Sequence, residues 1–178
     1  MEKNVVINSA DGLKLHGTIR FPDDLKSSEQ RSAFIILHGF GSNSSAANTV
    51  APATMLSDWG YITLRFDMRG CGKSDGEFGR IICLDQVEDT QHALSFLRDC
   101  PEVLEDKIGL IGSSFGAAVS IYTAGIDERV AAVVSAVAWG NGETKFRDQH
   151  SSPEAWAKFT GMLVAGAAHR KRTGESLM

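Results

Sequence analysis

The sequence is poor in cysteine and has no long apolar run. Its three cysteines, Cys71, Cys83 and Cys100, are odd in number and lack the spacing of a metal site. We therefore expect free thiols in a reducing cytoplasm and no bound metal. No stretch approaches the ~18 apolar residues of a membrane span, and residues 1–12 lack the charged-then-apolar pattern of a signal peptide. These absences predict a cytoplasmic protein that has no membrane partner.

The charge pattern argues against a second class of partner. The formal net charge is −4, and the basic residues form no long stripe. Proteins that bind nucleic acid usually present a basic surface to the phosphates, so we expect no nucleic-acid partner. We interpret the basic cluster at residues 169–172 as a solvated helix end, where cations suit the helix dipole.

After an N-terminal hairpin, strand and helix patterns alternate along the chain. Two strand-like segments flank Asp11-Gly12, which is a hairpin signal. The series ends with the apolar strand "RVAAVVSAVAW", a polar loop, and a helix from Pro153 to about Ala168. Strands that are apolar on both sides need cover on both sides. We therefore predict an α/β fold, with a mainly parallel sheet, helices on both faces and an antiparallel N-terminal hairpin.

The stretch "GLIGSSFGAA", residues 109–118, places two adjacent serines between a strand and a helix. A nucleophile elbow, Gly-x-Ser-x-Gly, needs glycine two residues before and after the serine, because the strand and helix backbones nearly touch. Gly112 and Gly116 have this spacing around Ser114, whereas Ser113 has no glycine at either position. Ser114 is therefore the candidate nucleophile.

A second glycine-rich stretch, "LHGFGSN", follows the third predicted strand. Acyl transfer needs two backbone N–H groups directed at the developing oxyanion. The elbow pattern assigns one to Phe115, the residue after the nucleophile, and the other to Phe40 in this loop. Gly39 and Gly41 allow the backbone to come close to a substrate. We interpret His38 as a structural brace of the loop.

The stretch "DMRGCGKSDG" contains Gly72-Lys73-Ser74, which resembles the end of a phosphate-binding loop. Such a loop needs another glycine five residues before Gly72, and that position is Asp67. We therefore expect no nucleotide here. The covalent acyl-transfer chemistry requires no organic cofactor.

The segments "HGFG", "RFDMRGCGKSDG" and "GSSFG", in this order and spacing, resemble the α/β-hydrolase superfamily. The pattern is most similar to small carboxylesterases of the feruloyl- or cinnamoyl-esterase type. Acyl-peptidases and dienelactone hydrolases remain alternatives. The resemblance implies a small-molecule ester substrate, an acyl-enzyme on Ser114, and oxyanion donors at Phe40 and Phe115. It also implies that the loop 67–76 mainly shapes the fold beside the site.

The resemblance covers about residues 3–138, and beyond them the family pattern is missing. We assign residues 1–138 to the hydrolase core and 139–178 to the start of a cap or lid. In the family, an acid and then a histidine follow the nucleophile. The histidines after Ser114 are His150 and His169, and neither follows a strand pattern. We therefore expect a C-terminally truncated hydrolase fold without the last two triad members, nearly inert by itself.

Two further expectations follow from this truncated pattern. The apolar strand at 130–138 would form a bare sheet edge, and such edges recruit another chain. We therefore expect a homo-oligomer or an aggregate formed through this strand. A non-catalytic protein, either a binding module or a product without function, is the alternative to an active serine esterase.

Overall fold

The computed structural model describes residues 1–177 as six strands and five helices. No helix within this range is long and apolar enough to cross a membrane. In chain order the elements are β1 (Glu2–Asn8), β2 (Lys14–Arg20), β3 (Arg31–Leu37), α1 (Ala47–Asp58), β4 (Ile62–Phe66), α2 (Cys83–Arg98), β5 (Val103–Ser113), α3 (Phe115–Ile126), β6 (Val130–Ala136), α4 (Gly142–Gln149) and α5 (Pro153–Thr173).

The six strands form one mixed sheet in the order β1-β2-β4-β3-β5-β6. β2 pairs antiparallel with β1 and β4, whereas β3 pairs parallel with β4 and β5, and β5 pairs parallel with β6. The N-terminal hairpin turns at Gly12, whose φ of +83° suits glycine. The predicted α/β fold with an antiparallel start is therefore confirmed.

Helices cover both faces of the sheet centre, and β3 shows how the sequence achieves this. Side chains alternate between the two faces of a strand. Ile35 and Leu37 lie in a core that includes Leu94 of α2. Ile36, between them, packs instead with Leu56 of α1. The continuous apolar sequence of β3 thus packs against α2 on one face of the sheet and against α1 on the other.

β6 lies at one edge of the sheet and pairs with β5 on one side. Val130 is half-buried, but the strand residues after it are exposed within the part of the chain that the structure describes, with Val133 at 42% and Val134 at 52% of their full accessibility. An apolar edge strand of this kind is a template for pairing with another chain. The expected bare edge is therefore present, and self-association through residues 130–138 stays a prediction.

The contacts divide the chain into two compact units, Met1–Ala138 and a second unit that begins at Trp139. The segment between the last predicted strand and Pro153 was predicted to be a polar loop, and this prediction was wrong because α4 lies there. The side-chain oxygen of Asn141 accepts the N–H of Thr144 at 3.0 Å and so caps the start of α4. The assignment of the second unit as the start of a cap stays a prediction.

Candidate active site

The turn between β5 and α3 has the tight geometry that its glycine spacing predicts. Ser114 has φ 55° and ψ −118°, a conformation that side-chain-bearing residues rarely adopt. A Cβ added to Gly112 would lie 2.1 Å from the carbonyl oxygen of Gly116. A Cβ on Gly116 would lie 2.4 Å from the carbonyl oxygen of His38. Glycine is therefore a steric requirement at both positions.

The strained turn holds Ser114 between the end of the sheet and the loop after β3. Its N–H donates to the carbonyl oxygen of Ala136 at 2.9 Å, which fixes the residue against β6. Its side chain is only partly buried. A Cβ built on Gly39 would lie 3.5 Å from the Cβ of Ser114 and 4.0 Å from its Oγ. The loop after β3 therefore passes the serine at van der Waals distance.

That loop forms a tight turn that carries Phe40 toward the elbow. The N–H of Ser42 donates to the carbonyl oxygen of Gly39 at 3.2 Å, and Gly41 has a φ of +63°. The ring of Phe40 meets the ring of Phe115 edge to face, with 5.5 Å between centroids. Phe115 is the first residue of α3, and amides of the first helical turn point out of the helix end.

The structure thus brings together the three residues that the sequence singled out. Phe40 and Phe115 are in ring contact, and Ser114 precedes Phe115 in the elbow. The helix N-terminus beside them favours negative charge. Their roles as nucleophile and oxyanion donors stay predictions.

His38 is fully buried, and both of its ring nitrogens are engaged. Its Nε2 accepts the N–H of Met68 at 3.2 Å, and its Nδ1 donates to the carbonyl oxygen of Gly39 at 2.9 Å. Burial lowers the pKa of His38, since the charged imidazolium loses its hydration. The neutral ring therefore braces the loop, as the sequence interpretation expected.

The carboxylate of Asp67, at the start of the glycine-rich loop after β4, binds this loop and also the loop after β3. One oxygen accepts the N–H of Ser44 at 2.6 Å, and the other accepts the N–H of Lys73 at 2.8 Å. A Cβ on Gly72 would lie 2.2 Å from this carboxylate. Within this loop the amide of Lys73 is thus bound to a carboxylate, and those of Cys71 and Ser74 donate to backbone carbonyl groups. The interpretation that the loop mainly shapes the fold stays a prediction.

One contact at the elbow was not anticipated from the sequence. The side-chain amide of Asn48, in α1, donates to Oγ of Ser113 at 3.1 Å. The two residues are 65 positions apart in the chain, and no local pattern marks the asparagine. Ser113, rejected as the nucleophile, thereby links the elbow to α1.

The histidines that follow Ser114 both lie in the second unit. Nδ1 of His150 donates to the carbonyl oxygen of Phe146 at 2.8 Å. Its ring stacks on Phe159 with 4.4 Å between centroids. Nδ1 of His169 lies 3.3 Å from the guanidinium of Arg172. These local contacts do not test the prediction that neither histidine is the triad base.

A groove of about 580 Å³ lies away from the elbow, along β1, β2 and the loop residues 43–45. Its walls include Arg65 and Lys73 together with the carboxylates of Glu2 and Asp67, so its charges are mixed. Within residues 1–177 no three His, Cys, Asp or Glu side chains cluster as metal ligands would.

Comparisons with known proteins place this geometry in a family. The family model for serine aminopeptidases, S33, matches residues 28–176. The polyketide transferase ATR5 of Stachybotrys chlorohalonatus is 36% identical over 135 residues, which are 75% of this chain and 43% of that protein.

Two solved structures of similar sequence share the fold. The α/β hydrolase GrgF from Penicillium sp. sh18 is 28% identical with a TM-score of 0.78, covering 100% of this chain and 57% of that one. Est1E from Butyrivibrio proteoclasticus, solved with ferulic acid bound, is 28% identical with a TM-score of 0.66, covering 72% and 50%. The chain spans about half the length of the curated relatives it matches.

Proposed function

Because the chain belongs to the serine aminopeptidase family S33 of α/β hydrolases, we propose that it carries the nucleophile of a serine hydrolase acting on small carboxylic esters. The observation that supports this most directly is the left-handed backbone of Ser114, at φ 55°, between two glycines that admit no side chain. Backbone strain of this kind costs on the order of 1–3 kcal/mol and is concentrated at functional sites. A structural turn could have used glycine at this position without strain.

The proposed reaction begins with attack of Ser114 Oγ on the ester carbonyl carbon. As the C–O bond forms, the carbonyl electrons move onto the carbonyl oxygen, and the N–H groups of Phe40 and Phe115 stabilise that charge. Collapse of the tetrahedral intermediate expels the alcohol and leaves an acyl-enzyme, which water then hydrolyses. A base takes the proton of Ser114 and returns it to the departing alcohol oxygen, and we propose that neither His150 nor His169 is this base. Without such a base Ser114 is a weak nucleophile, and we expect only residual activity.

The choice of an ester rests on the family resemblance and on Est1E, a similar structure solved with ferulic acid. A second candidate is acyl transfer to an acceptor other than water, because ATR5 is a polyketide transferase. A third candidate is an acyl-peptidase, because the matching family model is named for serine aminopeptidases. All three reactions pass through the same acyl-serine and differ in the leaving group or acceptor.

A fluorophosphonate probe tests the proposal, with intact-mass detection and peptide mapping. We expect slow, saturable labelling at Ser114 that is lost in Ser114→Ala. The matched control is Ser113→Ala, the adjacent serine, which should remain labelled at Ser114. Equal labelling of Ser114→Ala and Ser113→Ala would show that the probe reacts with a residue other than Ser114. No labelling of the folded wild-type chain would favour the non-catalytic alternative.

Substrate panels separate the three acyl reactions once labelling is established. p-Nitrophenyl esters, acyl thioesters and aminoacyl p-nitroanilides present the same type of carbonyl with different leaving groups. We expect turnover of short esters, lost in Ser114→Ala. Preference for the anilides would favour the acyl-peptidase, and acyl transfer from thioesters to an added alcohol would favour the transferase.

A further inference from the structure

We propose that the ring pair formed by Phe40 and Phe115 is a positioning element, which fixes the two backbone amides of the oxyanion site relative to each other. This inference rests on the proposed function and adds a role for the two side chains. The amides belong to segments far apart in the sequence, one in the loop after β3 and one at the start of α3. The ring contact joins the same two residues that carry the amides.

The geometry of the pair is that of a specific aromatic contact. The centroids are 5.5 Å apart and the ring planes cross at 89°, the edge-to-face arrangement that the ring quadrupoles favour. Phe115 packs against the main hydrophobic core and therefore provides a fixed surface. Phe40, by contrast, remains 49% exposed. Its ring therefore docks on an anchored partner without being part of the core.

The backbone around Phe40 needs such an anchor. Gly39 and Gly41 flank it, and glycine restricts the backbone less than any other residue. The loop is held at His38 before this turn, through Met68, and at Ser44 after it, through Asp67. Between these two points the ring pair ties the turn to the elbow. A displacement of about 1 Å in a reacting geometry can cost about a hundredfold in rate. We therefore expect loss of the ring contact to slow the reaction at Ser114.

The test compares the fluorophosphonate labelling rate of Ser114 in the full chain and in five variants, among them Phe115→Leu alone and combined with Phe40→Leu. Phe40→Leu keeps apolar volume but removes the ring, whereas Phe40→Tyr keeps the ring and adds a hydroxyl. Phe78→Leu is the matched control, because Phe78 is 70% exposed in another loop. We expect Phe40→Leu to lower the rate constant roughly three- to tenfold, Phe40→Tyr to lose less because the ring is kept, and Phe78→Leu to stay near the wild-type value. Phe115→Leu combined with Phe40→Leu should cost less than the product of the single effects.

Saturation kinetics distinguish positioning from simple contact with the probe. A positioning role predicts that Phe40→Leu lowers the maximal inactivation rate and leaves the half-saturating probe concentration unchanged. An effect confined to the half-saturating concentration, or equal losses in Phe40→Leu and Phe40→Tyr, would overturn the proposal.

Amide hydrogen exchange supplies a readout that needs no chemistry at Ser114. We expect Phe40→Leu, but not Phe78→Leu, to speed exchange in the segments 39–42 and 113–117. Unchanged exchange in Phe40→Leu would refute the positioning role even if wild-type labelling succeeds. If the wild type is not labelled, the proposed function fails, and this exchange measurement alone decides whether the ring pair holds the turn.

Discussion

The loops after β4 and β5 each contain a residue with a positive φ, but the surroundings of the two residues differ. Gly72 has a φ of +54° and Ser114 a φ of +55°, and both follow strands of the parallel part of the sheet. In the first loop the carboxylate of Asp67 accepts the N–H of Lys73 within the loop and that of Ser44 in the loop after β3. In the second, a partly exposed serine occupies the strained position. Similar glycine-rich sequences therefore place different residues at the strained position, a glycine beside a carboxylate in one loop and a serine at the helix start in the other.

The largest effect is expected when a methyl group is added to the elbow. In Gly116→Ala the new Cβ would meet backbone oxygens of His38 and Leu37 at 2.4 and 2.5 Å, so the loop must move. We expect a loss of about 3 kcal/mol or more in unfolding free energy, measured by urea titration. Gly39→Ala is the matched control, because its nearest neighbour lies at 3.5 Å. Equal stability of the two variants would contradict the crowded elbow.

Removing one hydrogen-bond acceptor from the loop after β4 should lower the unfolding free energy by a smaller amount and leave the labelling of Ser114 intact. Asp67→Asn replaces a carboxylate oxygen by an N–H donor that faces Ser44 or Lys73, leaving one buried amide unsatisfied. We expect about 2 kcal/mol of destabilisation, with fluorophosphonate labelling of the remaining folded protein preserved.

Ser114→Ala should show the reverse, a stability change within about 0.5 kcal/mol and no labelling. If Asp67→Asn kept its stability but lost labelling, the first loop would belong to the site.

The smallest expected effect concerns His38, the brace before the Phe40 turn. Burial lowers the pKa of His38, so the unfolded chain binds this proton more readily than the folded chain. The stabilising contribution is complete above the unfolded pKa of about 6.5 and decreases as the pH falls below it. His38→Gln cannot titrate, so its urea midpoint should fall less than that of the wild type between pH 7 and 5. Parallel curves for the two proteins would exclude a role for His38 in this pH dependence.

The elbow was predictable because its requirement is local and steric. Only hydrogen fits two residues before and after Ser114, and that rule can be read from five consecutive residues. The hairpin at Gly12 and the alternating strands and helices were predictable for the same reason. Each depends on a short pattern of residue type and periodicity.

The remaining features depend on partners distant in the sequence. The acceptor role of Asp67 toward Ser44 joins positions 23 residues apart, and the bond from Asn48 to Ser113 spans 65. Helix α4 was missed because its sequence is mostly polar, with no apolar stripe to mark it, although its Asn141 cap is a recognisable signal. Burial and pairing of this kind become visible only when the chain is folded.

Residue 114 is under two opposite requirements. The proposed reaction needs the hydroxyl of serine, whereas the positive φ of the backbone is more stable with glycine. A glycine there would relax the turn and raise the melting temperature, with a gain on the order of 1 kcal/mol. If Ser114 is the nucleophile that we propose, a lineage that loses acyl chemistry should drift toward that glycine. The residues that close homologues carry at this one position would test this expectation.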